Sequence, residues 1–209
     1  MDIMIDKFTT DALMLWATID PIGTLAIFSA LTSGSSLEER RKIALKAIAY
    51  SALILLVSIV GGQVILAGMG IRLISLQIAG GIILFLFGLQ MVFGKSYKST
   101  SDVPEPGHDL AVFPLAVPSI ASPGAIMAVI LLTDNYQYSI PIQAVTSLIM
   151  LAVLAITYVF MLGATRILRV IGKNGASILV RVMGMILAAL SVELIMKGLG
   201  IQQWLVNAP

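Results

Sequence analysis

Two short motifs carry the polar chemistry of this 209-residue chain. One begins at Asp20 and reads DPIG, and the other begins at Ser122 and reads SPG, each inside an otherwise apolar stretch. Aspartate and serine are favoured N-cap residues, and proline is favoured at the first helical position. Each motif therefore predicts that a helix begins in the middle of an apolar segment. The start of a helix offers unpaired N–H groups and about half a positive charge, which suits a carboxylate.

The predicted substrate-binding residues surround these two helix starts, which we expect to face a cavity at the middle of a membrane. They are Asp20, Pro21, Gly23, Thr24, Pro118, Ser119, Ser122, Pro123 and Gly124. Asp20 and Glu193 are also candidates for binding a coupling ion, because an ionisable side chain within a membrane span is costly and usually functional. Three roles stay open for Asp20: contact with a substrate ammonium group, transfer of a coupling proton, or capping of its own helix. Asp11 is expected at the membrane interface.

The same breaks also have a structural interpretation, in which each is a kinked helix whose cap residue satisfies only its own backbone. Neighbouring helices can satisfy the groups that a proline frees in a membrane helix. Two breaks with the same order of cap residue and proline, at matching positions of a repeat, favour a binding site over two kinks.

The composition indicates a polytopic membrane protein. Hydrophobic residues make up 58% of the chain, charged residues make up 11%, and the mean hydropathy is +1.00. Soluble domains contain about 45–50% apolar and about 25% charged residues. The lipid bilayer is thus the expected surrounding and nucleic acid is not an expected partner. The chain has no cysteine, which excludes disulfide and thiolate chemistry.

Six segments are long and apolar enough to be membrane spans, since a spanning helix needs about 20 residues. They cover residues 8–31, 43–68, 73–93, 111–132, 142–165 and 176–200, and prolines break the first and the fourth. Ser36 and Glu39 form a predicted capping box before the second span. The last joint is expected at residues 166–175. In the fourth span we expect an unwound stretch near residues 118–122.

Positive charge predicts the orientation of the chain. Ten of the 13 Lys and Arg residues lie in or beside the first, third and fifth joints. These joints are therefore predicted to be cytoplasmic, and both termini are predicted to be periplasmic or extracellular.

A weak internal repeat relates the two halves of the chain at an offset of about 102 residues. IDPIGTLAI at residues 19–27 aligns with ASPGAIMAV at residues 121–129. Each half has three spans, so the second half must enter the membrane from the opposite side, as in many secondary transporters. The predicted fold is a single all-α membrane domain, 1–209. It consists of a first three-helix repeat (1–96), a cytoplasmic loop (97–110) and a second, inverted repeat (111–209).

Features of an enzyme are not expected in this sequence. His108 is the single histidine and lies in the polar loop. Neither a metal-ligand spacing nor a glycine-rich phosphate loop after a strand is present. We therefore expect no catalytic residue, no bound metal and no cofactor.

Motifs through nearly the whole chain resemble those of the MarC family of membrane proteins, also called the SnatA-like neutral amino acid transporter family. They are DPIG (20–23), LQIAGGIIL (76–84), PLAVP (114–118), ASPG (121–124) and RVMG (181–184). The resemblance implies a multi-pass protein of the cell inner membrane. For some members it also implies transport of small neutral amino acids such as glycine and alanine.

The sequence and the resemblance together predict a secondary transporter or exporter of small neutral amino acids, driven by H⁺ or Na⁺ and able to form oligomers. The half-helix starts would hold the substrate carboxylate, and Asp20 with unwound carbonyls near Pro118 would hold its ammonium. Two alternatives stay open. One is a membrane scaffold or regulatory protein that transports nothing, and the other is a transporter of a different small solute or ion.

Overall fold

The computed structural model describes residues 2–93 and 109–201, and all of their regular structure is helical. The elements are α1 (Asp2–Ile19), α2 (Pro21–Leu31), α3 (Leu37–Gly68), α4 (Leu73–Phe93), an irregular proline segment (Ala111–Ile120), α5 (Pro123–Leu132), α6 (Ile140–Gly172) and α7 (Asn174–Gly198). The predicted loop at 97–110 lies outside the described residues, apart from its last two positions.

The prediction of an all-α protein with several membrane spans is confirmed. By length and composition, five helical stretches among the described residues can cross a membrane, and α1 with α2 counts as one of them. The proline segment and α5 form a sixth if this pair, bent by 54°, is a single span. The first and the fourth apolar segments are thus the broken ones.

The broken helices lie at the centre of the molecule. In the most apolar part of the stretch Met4–Leu31, 61% of the residues are buried by the protein. In the corresponding parts of α3, α4, α6 and α7, only 22–33% of the residues are buried. In a bilayer, irregular backbone is tolerated only against protein or a water-filled cavity. The four long helices provide that protein surrounding for both breaks.

Two buried clusters of apolar side chains hold the helices together. The larger one contains Leu15, Phe28, Leu55, Leu115 and Met150, so it joins α1, α2, α3, the proline segment and α6. The smaller one joins α1, α4, α5 and α7 through Met14, Ala17, Leu84, Met127, Ala128, Leu187 and Leu194. Each cluster therefore contains residues that lie next to a break.

The start of α3 is as predicted. The hydroxyl of Ser36 accepts a hydrogen bond from the N–H of Glu39 at 3.3 Å, and the Glu39 carboxylate accepts one from the N–H of Ser36 at 2.8 Å. This reciprocal pair is a capping box, and it begins the helix directly after the joint.

Two predicted irregular regions differ from the observed ones. The expected joint at 166–175 is helical except at Gly172, whose φ of 72° and ψ of 167° suit only glycine. The backbone of the proline segment is already extended at Phe113 and Val117, earlier than the predicted stretch 118–122. Each of these two residues precedes a proline, whose ring disfavours helical geometry at the preceding position.

The two halves of the chain have the same order of elements: a broken pair, then two long helices. Each short half-helix begins after a cap residue followed by proline, and each ends at a threonine, Thr32 after α2 and Thr133 after α5. Both threonine hydroxyls donate to the carbonyl four residues earlier, at 2.7 and 2.6 Å. The repeat boundaries, the inverted orientation of the second half and the side on which the termini lie stay predictions.

Candidate functional site

Asp20 forms the first break. Its φ of 49° and ψ of 71° are left-handed, a conformation that aspartate tolerates better than most residues. Its backbone N–H still donates to Trp16 at 3.1 Å, and its carboxylate accepts the N–H of Gly23 at 2.9 Å. Asp20 therefore ends α1 and caps α2, as its sequence position predicts.

Gly23 lets the carboxylate lie close to the first turn of α2. A Cβ atom at this position would collide with Oδ2 of Asp20. Any larger residue would push the cap away from the helix start, so glycine is needed here because of a close approach.

Ser122 forms the second break and contacts the first. Its hydroxyl accepts the N–H of Ala125 at 3.0 Å, which caps α5, and donates to the carbonyl of Thr18 at 3.0 Å. Thr18 lies in the last turn of α1, where carbonyls lack a partner in their own helix. A single serine thus satisfies one group at the start of α5 and one at the end of α1.

A second polar contact joins the two helix starts. The hydroxyls of Thr24, in the first turn of α2, and Ser119, in the proline segment, lie 3.2 Å apart. Thr24 is buried and Ser119 is half-buried. The two breaks, which are about 100 residues apart in the sequence, are therefore in direct contact.

The predicted site residues are distributed as follows. The two joined breaks contain Asp20, Thr24, Ser119 and Ser122. The first turns of α2 and α5 contain Gly23 and Gly124. Of the prolines, Pro21 is buried, Pro118 is half-buried and Pro123 is exposed. Glu193 is exposed on α7. As ligands of a substrate or an ion, all of these residues stay predictions.

The structure is closed at the cap residues. Asp20 is 5% exposed, Thr24 is 1% exposed and Ser122 is 4% exposed. The sequence predicted helix starts that face a cavity, whereas here they pack against each other.

One backbone N–H group at each break lacks a carbonyl partner in its own half-helix. The N–H of Ile22 in α2 and that of Gly124 in α5 have no carbonyl four residues earlier in their own half-helix. The cap side chains are directed instead to the next residue, Gly23 or Ala125. The N–H groups of Ile22 and Gly124 are therefore satisfied neither by their own half-helices nor by the cap side chains.

An ion pair ties the far end of α5 to α1 and α6, at what we name the Lys7 end. Lys7 donates to Asp11 at 2.7 Å and to the Leu132 carbonyl at 3.3 Å, and the Thr146 hydroxyl donates to Asp11 at 2.6 Å. Asp11 is 1% exposed, so other protein atoms cover it, and its expected place at the membrane interface stays a prediction. Because it is bonded to both a lysine and a threonine, it can be buried without being unpaired.

Tyr138 belongs to the same network. The Lys7 ammonium lies 3.9 Å from the centre of its ring. Burial raises the pKa of the Tyr138 phenol, and the nearby carboxylates of Asp11 and Asp134 raise it further. The phenol is therefore held in its neutral form at the Lys7 end.

Gln63 of α3 closes the other side of the α5 terminus. Its amide donates to the carbonyls of Ile130 and Thr133 at 3.3 and 3.0 Å, and its oxygen accepts the N–H of Asn135 at 3.2 Å. Beside it, a cavity of about 450 Å³ is lined by apolar residues of α3 and by Arg72. This cavity lies at the end of α5 that is remote from the break.

A second cation lies at the end of α2, at what we name the Arg40 end. Arg40 donates to the Thr165 hydroxyl of α6 at 2.7 Å, and its guanidinium lies 5.4 Å from the ring centre of Phe28. Both short half-helices thus end beside a positive side chain, which the negative end of a helix dipole favours.

Sequence reasoning missed two contributors to the site and its surroundings. Thr18 acts through its backbone carbonyl, which residue type does not reveal. Thr165 looked like an ordinary polar residue of an apolar helix, and only the fold brings it to Arg40.

A model described as "MarC family integral membrane protein" matches residues 5–204. The chain belongs to the MarC family. The match to the family covers both breaks and all the described helices except the first three residues of α1.

Relatives in the MarC family are similar to this chain over nearly their full length. A protein of Archaeoglobus fulgidus named "UPF0056 membrane protein" is 37% identical, with 92% of this chain and 90% of the relative covered. The "UPF0056 inner membrane protein YhgN" of Escherichia coli is 30% identical, with 96% and 98% covered. A "UPF0056 membrane protein" of Methanocaldococcus jannaschii is 34% identical, with 88% and 92% covered. No solved structure matches the chain.

Proposed function

We propose that this MarC protein is a secondary transporter or exporter of small neutral amino acids in the cell inner membrane. The contact between two half-helix starts supports the proposal most strongly. Broken helices whose positive ends meet within the membrane are a recurrent way for transporters to bind an anionic group. In this chain the meeting point is defined by the Ser122–Thr18 and Thr24–Ser119 hydrogen bonds.

The substrate carboxylate is assigned to the N–H groups of Ile22 and Gly124 and to the hydroxyls of Thr24 and Ser119. When the breaks move apart, the hydrogen bond between these two hydroxyls is replaced by hydrogen bonds from each of them to the carboxylate. A charge-assisted hydrogen bond to a carboxylate is about twice as strong as one between neutral groups. Substrate binding can therefore offset the cost of opening the contact.

The substrate ammonium is assigned to Asp20. One carboxylate oxygen already accepts the Gly23 N–H, so the other is free to accept from an ammonium group or to carry a coupling H⁺. Na⁺ is the other candidate coupling ion. Glu193 is exposed on α7 and is a weaker candidate than Asp20 for coupling at the breaks.

The test is uptake of labelled glycine and alanine by purified protein in liposomes, with and without an H⁺ or Na⁺ gradient. Asp20→Asn keeps a good N-cap and removes the charge, and we expect it to abolish uptake in a protein that still folds. Thr24→Val should lower uptake by about tenfold or more, because one hydrogen bond to a charged group contributes about 1.5–3 kcal/mol.

Thr157→Val is the matched control for Thr24→Val. Thr157 is also fully buried, but its hydroxyl donates only to the Val153 carbonyl of its own helix, at 2.8 Å. This variant should transport as the wild type does. Equal loss in both threonine variants would overturn the assignment of the carboxylate site.

A structural role for the breaks is the competing proposal, and the burial of Asp20, Thr24 and Ser122 favours it. In that case the protein is a membrane scaffold or regulator. Asp20→Asn would then lower the melting temperature and leave function intact. A panel of amino acids, sugars and inorganic ions that fails to shift the melting temperature would support this alternative over transport.

A further inference from the structure

Leu84 of α4 lies against the first turn of α5. A Cβ atom added to Gly124 would collide with Cδ2 of Leu84, and Cγ of Leu84 would lie 2.8 Å away. The three heavy atoms nearest to that Cβ position all belong to Leu84. Leu84 is 1% exposed, and its side chain occupies the position that a Cβ atom on Gly124 would need.

Leu84 shares a buried cluster with a residue of α1. It belongs to the buried cluster that contains Ala17, the residue before Thr18, together with Met127 and Ala128 of α5. The positions flanking the second break, Ala121 and Ala125, are small and fully buried. Three small residues, Ala121, Gly124 and Ala125, therefore lie at the start of α5, and the large branched side chain of Leu84 packs against Gly124 from α4.

We propose that Leu84 determines the specificity of the site by occupying the space that a larger amino acid side chain would need. This inference rests on the proposed function, since it assumes that an amino acid binds between the starts of α2 and α5. A substrate held by the N–H of Gly124 has its Cα next to Leu84. Hydrogen or methyl can then be accommodated, whereas a branched side chain overlaps with the Leu84 isobutyl group.

Shortening the Leu84 side chain should allow larger amino acids to bind, because the space gained matches the extra size of the substrate. Leu84→Ala removes three carbon atoms, which is the number by which leucine exceeds alanine as a substrate. One methylene more or less in an apolar pocket changes discrimination by about 10–200-fold. The packed surroundings of Leu84 give such a group no other space, because protein interiors contain few voids.

The test is the ratio of leucine to alanine uptake in liposomes that contain wild-type protein or Leu84→Ala. We expect this ratio to rise by about tenfold or more in the variant. Leu187→Ala is the matched control, because Leu187 is equally buried in the same cluster but lies on α7. It loses the same three carbons, and its uptake ratio should equal that of the wild type.

The possible outcomes distinguish failure of the transport proposal from failure of the Leu84 proposal. A wild-type protein that moves neither amino acid overturns the proposed transport function. A wild-type protein that moves alanine, with an unchanged ratio in Leu84→Ala, overturns only the role of Leu84, as does an equal rise in Leu187→Ala. If Leu84→Ala does not fold, Leu84→Val removes one carbon, and the ratio of valine to alanine uptake must then rise.

Discussion

The hydroxyl of Ser122 joins the two broken helices by donating a 3.0 Å hydrogen bond to the carbonyl of Thr18. The same hydroxyl accepts the N–H of Ala125. In hydrocarbon an unpaired backbone group costs several kcal/mol. A helix that ends in the membrane and a helix that starts there would each leave such groups. Their contact through one side chain explains how both breaks can be buried.

Ser122→Ala should lower the free energy of unfolding by about 2–4 kcal/mol. It removes an N-cap, which contributes about 1 kcal/mol, and leaves the buried Thr18 carbonyl without a donor, which costs about 1–3 kcal/mol more. The measurement is denaturant unfolding in detergent micelles, followed by Trp fluorescence.

Ser51→Ala is the control for this prediction. Ser51 is fully buried, but its hydroxyl donates only to the Ala47 carbonyl four residues earlier in α3. Such bonds add little to a helix, so this variant should unfold like the wild type. Ser122→Thr keeps both hydrogen bonds and should lose less stability than Ser122→Ala. If the two alanine variants are equally stable, Ser122 does not join the breaks.

The caps of the half-helices could be predicted because they follow from local rules. A cap residue followed by proline specifies a helix start whatever surrounds it, and the capping box of Ser36 and Glu39 is read within four residues. The contact between Ser122 and Thr18 could not be predicted in this way. It depends on how α1 packs against α5, and its acceptor is a backbone atom present in every residue.

The partners of Asp11 could not be predicted from local rules either. An acid near the end of an apolar segment is usually solvated, and the burial of Asp11 by the protein depends on tertiary contacts. Its hydroxyl partner, Thr146, lies 135 residues later in the chain. At the joint 166–175, Arg166 and Lys173 suggested a polar loop, but charged residues also occur in helices that reach the membrane surface. Only the backbone angles of Gly172 locate the turn.

Asp11→Asn should destabilise the protein by about 3–5 kcal/mol, because removal of one partner leaves the other charge buried without compensation. The side chain of Lys7 is 14% exposed and that of Asp11 is 1% exposed. The double variant Lys7→Met with Asp11→Leu should recover most of the loss. The measurement is the thermal unfolding in detergent of the wild type, Asp11→Asn and the double variant.

The pair of Lys42 and Glu38 provides the control. It has the same 2.7 Å separation and the same spacing of four residues, but its side chains are 70% and 79% exposed. Glu38→Gln should cost no more than about 0.5 kcal/mol. A cost for Asp11→Asn as small as that would show that the Lys7 pair is solvated in the membrane protein.

Gly88→Ala should separate α4 from α7 and destabilise the protein. A Cβ atom at Gly88 would lie 2.8 Å from the Gly184 carbonyl oxygen and 2.9 Å from the Ala188 nitrogen. Both are backbone atoms that cannot turn aside, and small residues at such crossings let membrane helices approach closely. The main measurement is the melting temperature. In addition, a pair of cysteines engineered to form a disulfide between α4 and α7 should no longer form it when Gly88→Ala is present.

Gly61→Ala is the matched control for this prediction. Gly61 lies inside α3, and a Cβ there would meet nothing within 4 Å. Alanine is favoured over glycine inside a helix by about 0.5–1 kcal/mol, so this variant should be as stable as the wild type or slightly more stable. An equal fall in both melting temperatures would contradict the close crossing at Gly88.

Asp109→Asn should lower stability more at neutral pH than in acid. The backbone N–H of Ala111 donates to the Asp109 carboxylate at 3.0 Å, and the Lys46 ammonium donates to it at 3.2 Å. These bonds, that of Ala111 foremost, hold the pKa of Asp109 below its ordinary value of 3.8. The ionised form is therefore favoured in the folded state. The ionised carboxylate therefore contributes its full share to folding stability above pH 3.8. This share is lost as the pH falls through the lower pKa of Asp109 in the folded protein.

The measurement is the difference in melting temperature between the wild type and Asp109→Asn at pH 7 and at pH 3. We expect about 1–3 °C at pH 7, since an exposed ion pair contributes up to about 1 kcal/mol. The difference should shrink as the pH falls below 3.8. In a Lys46→Met background it should be smaller at pH 7 but still present, because the Ala111 N–H remains. A difference that is the same at both pH values would mean that the Asp109 charge does not stabilise the start of the proline segment.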